Sequence, residues 1–313
     1  MNTIKTLVQH QLRLRNNTPV LELPVYGNVC LPVHRGYKVF NFHRKTVVRI
    51  FTPDVDQTTV EREIEGVQKA SLLDFAPDIR RWNIKERWYE EEFVSGYPCC
   101  STPKSASPMF LRIYYQHVAP RLEKMILLEA PLTTNLIEHV IHTTDILRDS
   151  KLSRPELDKT KVNLIRCFVT SMADQINGGK DYPIDLVFSH GDFSLVNILK
   201  TKDGIMVIDW EGVGRRNPLF DLYNYFFTEL YYRRAEGNLV PEINEAISSL
   251  QSHLAPKAPK LAMSLLSLAE TYRRLYYVER VRMLLERKPT NKLLNVILRS
   301  IDVFNRYEEM VTL

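Results

Sequence analysis

The chain has 313 residues, 44% hydrophobic and 25% charged, the profile of an ordinary globular protein long enough for one large domain or two modest ones. Its formal net charge of +5 is mild and spread along the chain, with no basic run, which argues against a nucleic-acid binder. The four cysteines (Cys30, Cys99, Cys100, Cys167) have neither the number for a disulfide scaffold nor zinc-ligand spacing. No apolar run reaches the roughly 18–20 residues of a membrane span, and residues 1–17 lack an apolar signal core, so the reading is a cytoplasmic protein with reduced thiols.

The first ninety-odd residues read as β-rich with one helix. Tyr37–Phe42 and Thr46–Phe51 are β-prone runs flanking the polar link His43-Arg44-Lys45, which predicts a hairpin. Pro53 and Asp54 end its second strand. A helix is expected from about Thr58, where Thr58 and Glu61 fit a capping box and Val60, Ile64, Val67 and Leu72 form an apolar stripe. Arg87–Val94 reads as a further strand, stopped at Ser95-Gly96. The turn-rich stretch 97–103 marks a division into an N-terminal part, residues 1–96, and a C-terminal part, residues 97–313.

Beyond that point helices dominate. Met109, Phe110, Ile113, Tyr114, His117 and Val118 share one face; Val162, Ile165, Phe168, Val169, Met172 and Ile176 share another. Both stripes are expected core. Two short apolar runs interrupt the pattern: Leu186-Val187-Phe188 and Met206-Val207-Ile208. Each leads at once into polar, acidic residues. After Asp221 the chain returns to helix up to its end.

Those two interruptions hold the chemistry. The chain reads His190-Gly191-Asp192-Phe193-Ser194-Leu195-Val196-Asn197, then Ile208-Asp209-Trp210-Glu211. If the two strands form a hairpin, Asp192, Asn197 and Asp209 meet at one end of it. Such an oxygen set suits a hard cation such as Mg²⁺, which keeps several of its waters. A carboxylate beside the metal orients a hydroxyl and takes its proton, and phosphoryl transfer needs little beyond that positioning and charge neutralisation. A lone Asp after a strand is usually a turn former; the joint spacing is what carries the reading.

This segment resembles the catalytic signature of the aminoglycoside phosphotransferase and choline kinase-like superfamily. The resemblance implies an α+β, two-lobed, protein-kinase-like fold with a small β-rich N-lobe and a larger, mainly helical C-lobe. It implies ATP and Mg²⁺ as cofactors. It makes Asp192 the catalytic aspartate and Asn197 and Asp209 the metal ligands. His190 braces the loop, Glu211 contributes near the metal or substrate, and Asp221, in Asn217-Pro-Leu-Phe-Asp221, buttresses the loop. More weakly, Arg49 stands where the superfamily's strand lysine pairs with nucleotide phosphates. Glu63 is its helix partner, with Glu65 as rival. Glu92-Phe93-Val94 resembles the hinge that meets the adenine edge. The full glycine-rich phosphate loop is absent, and Gly36 is either its remnant or a turn residue.

The expected activity is transfer of the γ-phosphate of ATP to a hydroxyl of a small molecule or glycan. A protein kinase is disfavoured because Ser194 stands where those enzymes carry a lysine, and because only about a dozen residues separate Asp209 from Asp221. A non-catalytic nucleotide binder is disfavoured because Asp192, Asn197 and Asp209 are all present. The C-terminal helices mix tyrosines (Tyr223, Tyr225, Tyr231, Tyr232, Tyr272, Tyr276, Tyr277) with arginines (Arg233, Arg234, Arg273, Arg274, Arg280), and are not acidic. That tilts the acceptor away from polycationic aminoglycosides toward a sugar, glycan or phosphorylated metabolite. Choline-type acceptors stay open through aromatic faces. The sequence fixes no oligomeric state.

Overall fold

The computed structural model describes residues 27–99, 111–148, 150–178, 181–233, 239–287 and 289–312. It divides into two compact units that are not contiguous in sequence. One comprises Met1–Pro98 with Asn197–Val213; the other comprises Cys99–Val196 with Gly214–Leu313.

In the first unit, β1 (Val29–Val33), β2 (Gly36–Asn41), β3 (Thr46–Phe51), β4 (Ile79–Asn83) and β5 (Trp88–Glu92) form an antiparallel sheet in the order β1-β2-β3-β5-β4. The hairpin read from Tyr37–Phe51 is present, and its register sets Lys38 opposite Arg49. Gly36 opens β2 with φ +157°, and a Cβ there would lie 1.9 Å from the Ile50 carbonyl oxygen. Only glycine fits so close a backbone approach. α1 (Gln57–Ala70) buries Val60, Ile64 and Val67.

Two details of that helix differ from expectation. Its cap is Asp56, whose carboxylate accepts from Thr59 N at 2.7 Å and from the Thr59 hydroxyl. Thr58 instead lies inside the first turn, exposed. A carboxylate two residues earlier reaches the orphan N–H of the first turn and starts the helix sooner. Leu72 lies past the helix end and is 76% exposed, so the stripe stops at Val67.

The predicted pairing of the two chemistry-bearing strands is also corrected. Leu186–Phe188 lies in β8 (Pro183–Ser189), which pairs with β7 (Leu132–Asn135) and β11 (Gly214–Arg216) in the second unit. Met206 and Val207 lie in β10 (Gly204–Val207), which forms a hairpin with β9 (Ile198–Thr201); β6 (Tyr97–Pro98) adds to β9. The four-residue β9 was hidden because Ile198-Leu199-Lys200-Thr201 follows the motif asparagine directly and shows no alternation of its own. The hairpin is tied into the first unit, where Val207 N–H donates to the Phe75 carbonyl at 2.6 Å.

The second unit is mainly helical: a π-helical turn Tyr114–Val118 leading into α2 (Ala119–Ile126), then α3 (Leu136–Thr144), α4 (Lys159–Asn177), α5 (Phe220–Arg233), α6 (Val240–Leu254), α7 (Pro259–Ser267), α8 (Ala269–Leu285) and α9 (Asn291–Thr312). The α4 stripe is buried at Val162, Ile165, Val169, Met172 and Ile176. Ile113, Tyr114 and Val118 are buried as well, whereas Met109, Phe110, Cys100 and Arg234 lie outside the described residues. The core is strongly aromatic. Phe227, Tyr276, Tyr277, Phe304 and Tyr307 pack ring against ring, with Tyr277 and Phe304 stacked at 4.5 Å between centroids. Each such ring removes roughly 150–250 Å² from water. The architecture is α+β: among the described residues the first unit has a five-stranded and a three-stranded antiparallel sheet with one helix, and the second has helices around a three-stranded sheet. Among the described residues no helix is long and apolar enough to cross a membrane.

Candidate active site

In the second unit the loop after β8 is built around Asp221. The carboxylate sits in the first turn of α5 and accepts from His190 N at 2.8 Å and Gly191 N at 3.0 Å, both buried. Gly191 adopts φ +84°, a left-handed conformation suited to glycine. His190 is fully buried; its Nδ1 accepts from Asp192 N at 3.1 Å, and its ring meets Phe193 edge-on. Asn224 Nδ2 holds the Phe193 carbonyl at 3.0 Å. Upstream, Asn217 caps α5 through Leu219 N, and its amide donates to Glu279 at 2.7 Å. Most of these contacts fix the loop backbone, and the Asp192 carboxylate is left 41% exposed.

Asp192 is paired with a residue of α8. Arg280 donates to Asp192 Oδ1 at 3.2 Å and to the Gly191 carbonyl at 3.1 Å. Desolvation alone would raise the Asp192 carboxyl, but Arg280, with His190 and Arg287, overcomes it and holds the group below the usual carboxylate range. The remaining C-terminal aromatics and arginines mostly serve other ends. Tyr223, Tyr225, Tyr272, Tyr276 and Tyr277 are 0–2% exposed and belong to the core. Arg273 pairs with Glu308 and Arg274 with Glu270. Among the described arginines marked from the sequence, Arg280 turns to Asp192.

In the first unit, Asn197 immediately precedes β9 and Asp209 follows β10, so the hairpin sets both at one end. Ile208 N–H donates to the Asn197 carbonyl at 2.9 Å, extending the ladder to that end. Asp209 adopts φ +65°, ψ +51°, a left-handed conformation uncommon outside glycine. The adjacent Trp210 is buried against Phe75 and donates from Nε1 to the Val207 carbonyl at 2.8 Å. Asp209 is left 48% exposed, whereas Asn197 is buried. Among the described residues no cluster of three or more His, Cys, Asp or Glu surrounds a common metal position. One amide oxygen and one exposed carboxylate are a thin donor set of the kind Mg²⁺ uses, completing its octahedron with water and phosphate oxygens. These residues therefore fit the ion.

Behind that pair lies a buried charge network. Arg49, 1% exposed, donates from Nε to Glu63 at 3.3 Å and from Nη2 to the His34 carbonyl; it stacks over Phe51 and lies 3.9 Å from Glu211. Glu63 is buried, Glu61 half-buried and Glu65 exposed, so Glu63 is the helix glutamate that meets Arg49. Burial pushes the Glu63 carboxyl up to about 7 despite Arg49. The unexpected member is Lys38, whose ammonium lies 2.6 Å from Asp209 Oδ1 and 2.7 Å from Glu211 Oε1. Burial by itself would lower Lys38, yet Glu211, Asp209 and Glu91 more than reverse that and raise it. Counting outward from the 43–45 link would set Lys38 opposite Ile50; the turn in fact spans residues 42–45 and pairs Asn41 with Thr46, which brings Lys38 opposite Arg49.

The hinge residues are less open than their pattern implies. Phe93 N–H donates to the Lys45 carbonyl at 3.0 Å and Glu92 N–H to the Asp78 carbonyl at 2.9 Å. The Phe93 ring packs edge-on against Phe40 and Phe42.

The sheet with its single helix, the hairpin that carries Asn197 and Asp209, and the Asp221-anchored loop define an α+β protein of protein-kinase-like fold. Residues 169–256 match the model of the phosphotransferase enzyme family. In structure the chain is similar to a choline kinase from Cryptosporidium parvum, with 16% identity, covering 96% of this chain and 94% of that one, at a TM-score of 0.58. It is also similar to an ethanolamine kinase from Plasmodium vivax, with 13% identity, covering 90% and 81%, at a TM-score of 0.59. A third is an aminoglycoside phosphotransferase from Streptomyces rimosus in complex with ADP and streptomycin, with 17% identity, covering 88% and 98%, at a TM-score of 0.51. The superfamily that the His-Gly-Asp and Ile-Asp-Trp motifs resemble is thus the one both comparisons return. No curated protein matches the sequence at a significant level.

Proposed function

We propose that the protein is an ATP- and Mg²⁺-dependent phosphotransferase whose acceptor is a hydroxyl of a small molecule or glycan. The observation that carries the reading is the β9–β10 hairpin, which sets Asn197 beside the exposed carboxylate of Asp209 at one end. Mg²⁺ held there would bridge phosphate oxygens and neutralise their charge. Arg49 and Glu63 form the buried ion pair that stiffens the nucleotide-binding unit, and within Glu92–Val94, where the Glu92 and Phe93 N–H groups are already engaged, the Val94 backbone meets the adenine edge. Asp192 orients the acceptor hydroxyl and takes its proton. His190 and Asp221 hold the loop backbone in place for that task.

The acceptor is best read as neutral or anionic. A guanidinium stands directly on Asp192, and Arg280 beside the reacting hydroxyl would repel a cationic acceptor. Sugars, glycans and phosphorylated metabolites satisfy this; an aminoglycoside does not. The test is direct phosphate transfer from radiolabelled ATP to panels of sugars, amino alcohols and nucleosides, with and without Mg²⁺. Thermal stabilisation by ATP should be larger with Mg²⁺ than with chelator. If no nucleotide stabilises the protein under either condition, the phosphotransferase reading fails.

A further inference from the structure

We infer that Lys38, on β2, supplies the cation that contacts the nucleotide phosphates, and that Arg49 on β3 serves to anchor Glu63. The inference deepens the reading above and rests on nucleotide binding at Asn197 and Asp209.

The argument begins with the register. Lys38 and Arg49 are directly opposed in an antiparallel pair, so their side chains leave the sheet on the same face. Two cations on one face then divide the available anions. Arg49 is held from several sides: Glu63 at Nε, the His34 carbonyl at Nη2, and the Phe51 ring 4.7 Å from Cζ. These partners orient the guanidinium through Nε and Nη2 and leave Nη1 unpartnered among the described residues, and the whole group is 1% exposed. Lys38 is also buried, at 8% exposure, but it differs in its partners. Its partners are the carboxylates of Asp209 and Glu211, which are 48% and 25% exposed. Its ammonium is a compact point charge on a flexible stem, free to exchange one oxygen anion for another. It lies 2.6 Å from an oxygen of the residue that fits the metal. A phosphate oxygen bridged to a metal on Asp209 falls within reach of the same ammonium, with no movement of the sheet.

The charge balance points the same way. Glu211 lies near both cations, at 2.7 Å from Lys38 and 3.9 Å from Arg49. With a metal held by Asp209, Lys38 would give up its share of that carboxylate and would take a phosphate oxygen in its place. Glu63 keeps Arg49 out of this exchange. Glu211 then tethers Lys38 while its other contact is renewed.

The experiment is equilibrium binding by titration calorimetry, cross-checked by fluorescence of Trp210, which adjoins Asp209. Adenosine, Mg·ADP and Mg·ATP are titrated into the wild type and into Lys38→Met, Lys38→Arg and Arg49→Lys. The expected result is that Lys38→Met weakens Mg·ATP by at least about tenfold, the loss of one charged phosphate contact, and leaves adenosine unchanged. Lys38→Arg restores most of the Mg·ATP affinity. Arg49→Lys keeps the gain of Mg·ATP over adenosine and lowers the melting temperature. The inference is overturned if Lys38→Met binds Mg·ATP like the wild type. It is equally overturned if Lys38→Met weakens adenosine and Mg·ATP by the same factor, or if Lys38→Arg rescues nothing, since those outcomes mark a packing role. A wild type that binds none of the three ligands instead removes the nucleotide reading itself.

Discussion

Asp192, Asp209 and Asp221 are separated by their surroundings. Asp192 is held ionised by Arg280 and is partly exposed, the state required of a group that receives a proton late in a transfer. In the proposed function Asp192 is the base, and Asp192→Asn keeps its shape while removing that capacity, so kcat should fall by roughly 10²–10⁴-fold. The Kd for Mg·ATP should stay near wild type, and a calorimetric titration beside a turnover assay measures both. Asp209→Asn should do the reverse of that split, weakening Mg·ATP before anything else. Equal turnover in both variants and the wild type would remove these residues from the site. Asp221 touches no reacting atom in this scheme. It accepts from two buried N–H groups, and an asparagine offers only one oxygen to them. One donor is left unsatisfied at a cost of about 1–3 kcal/mol. Asp221→Asn should therefore lower both the melting temperature and kcat while leaving the Kd for Mg·ATP unchanged.

Elements differ in how openly the sequence announces them. The Tyr37–Phe51 hairpin was legible because two β-prone runs flank a short polar link. α4 was legible because its apolar spacing holds over five turns. The start of α1 was not, since Asp56 and Thr58 both offer capping oxygens and only the backbone geometry decides between them. Asp56→Ala should destabilise the protein by about 1 kcal/mol, whereas Thr58→Ala, exposed in the first turn, should change it by less than about 0.5 kcal/mol. Urea denaturation of the two variants decides the cap. The catalytic segment shows the same contrast. Its residue types and spacing point to phosphoryl transfer, but the two strands do not pair with each other as expected, because β9 is only four residues long and its pairing with β10 depends on a turn at Lys202-Asp203. Lys38 and Arg280 escaped for a different reason. Each is a charged residue in an otherwise ordinary strand or helix, and its role depends on what the tertiary structure sets beside it: Asp209 for one, Asp192 for the other.

At the scale of the whole molecule, the first unit carries a buried excess of carboxylates, and this sets how its stability responds to pH. Glu63 and Glu91 are both pushed up to about 7, chiefly by burial. Arg49 opposes the shift at Glu63 and Lys38 opposes it at Glu91, while Glu211 reinforces it at both and Asp209 and Glu63 reinforce it at Glu91. In the unfolded chain each glutamate returns to its ordinary value of 4.5. Between those values the native state keeps protons that the unfolded state releases, so unfolding gives up protons and stability falls as pH rises. The window runs from about pH 4.5 to about pH 7, and above it these two groups add no further slope. The chain has three tryptophans, Trp82, Trp88 and Trp210, and all belong to the first unit, so tryptophan fluorescence follows its unfolding separately from the second. Melting curves read in this way should show the transition moving to lower temperature across the window. In Glu91→Gln, which removes one titrating group and keeps the shape, the decline should be shallower. Circular dichroism at 222 nm, weighted toward the helical second unit, should show no difference in slope between the two proteins. An unchanged fluorescence slope in Glu91→Gln would mean that Glu91 is ionised in the native state throughout, with Lys38 offsetting the whole cost of its burial.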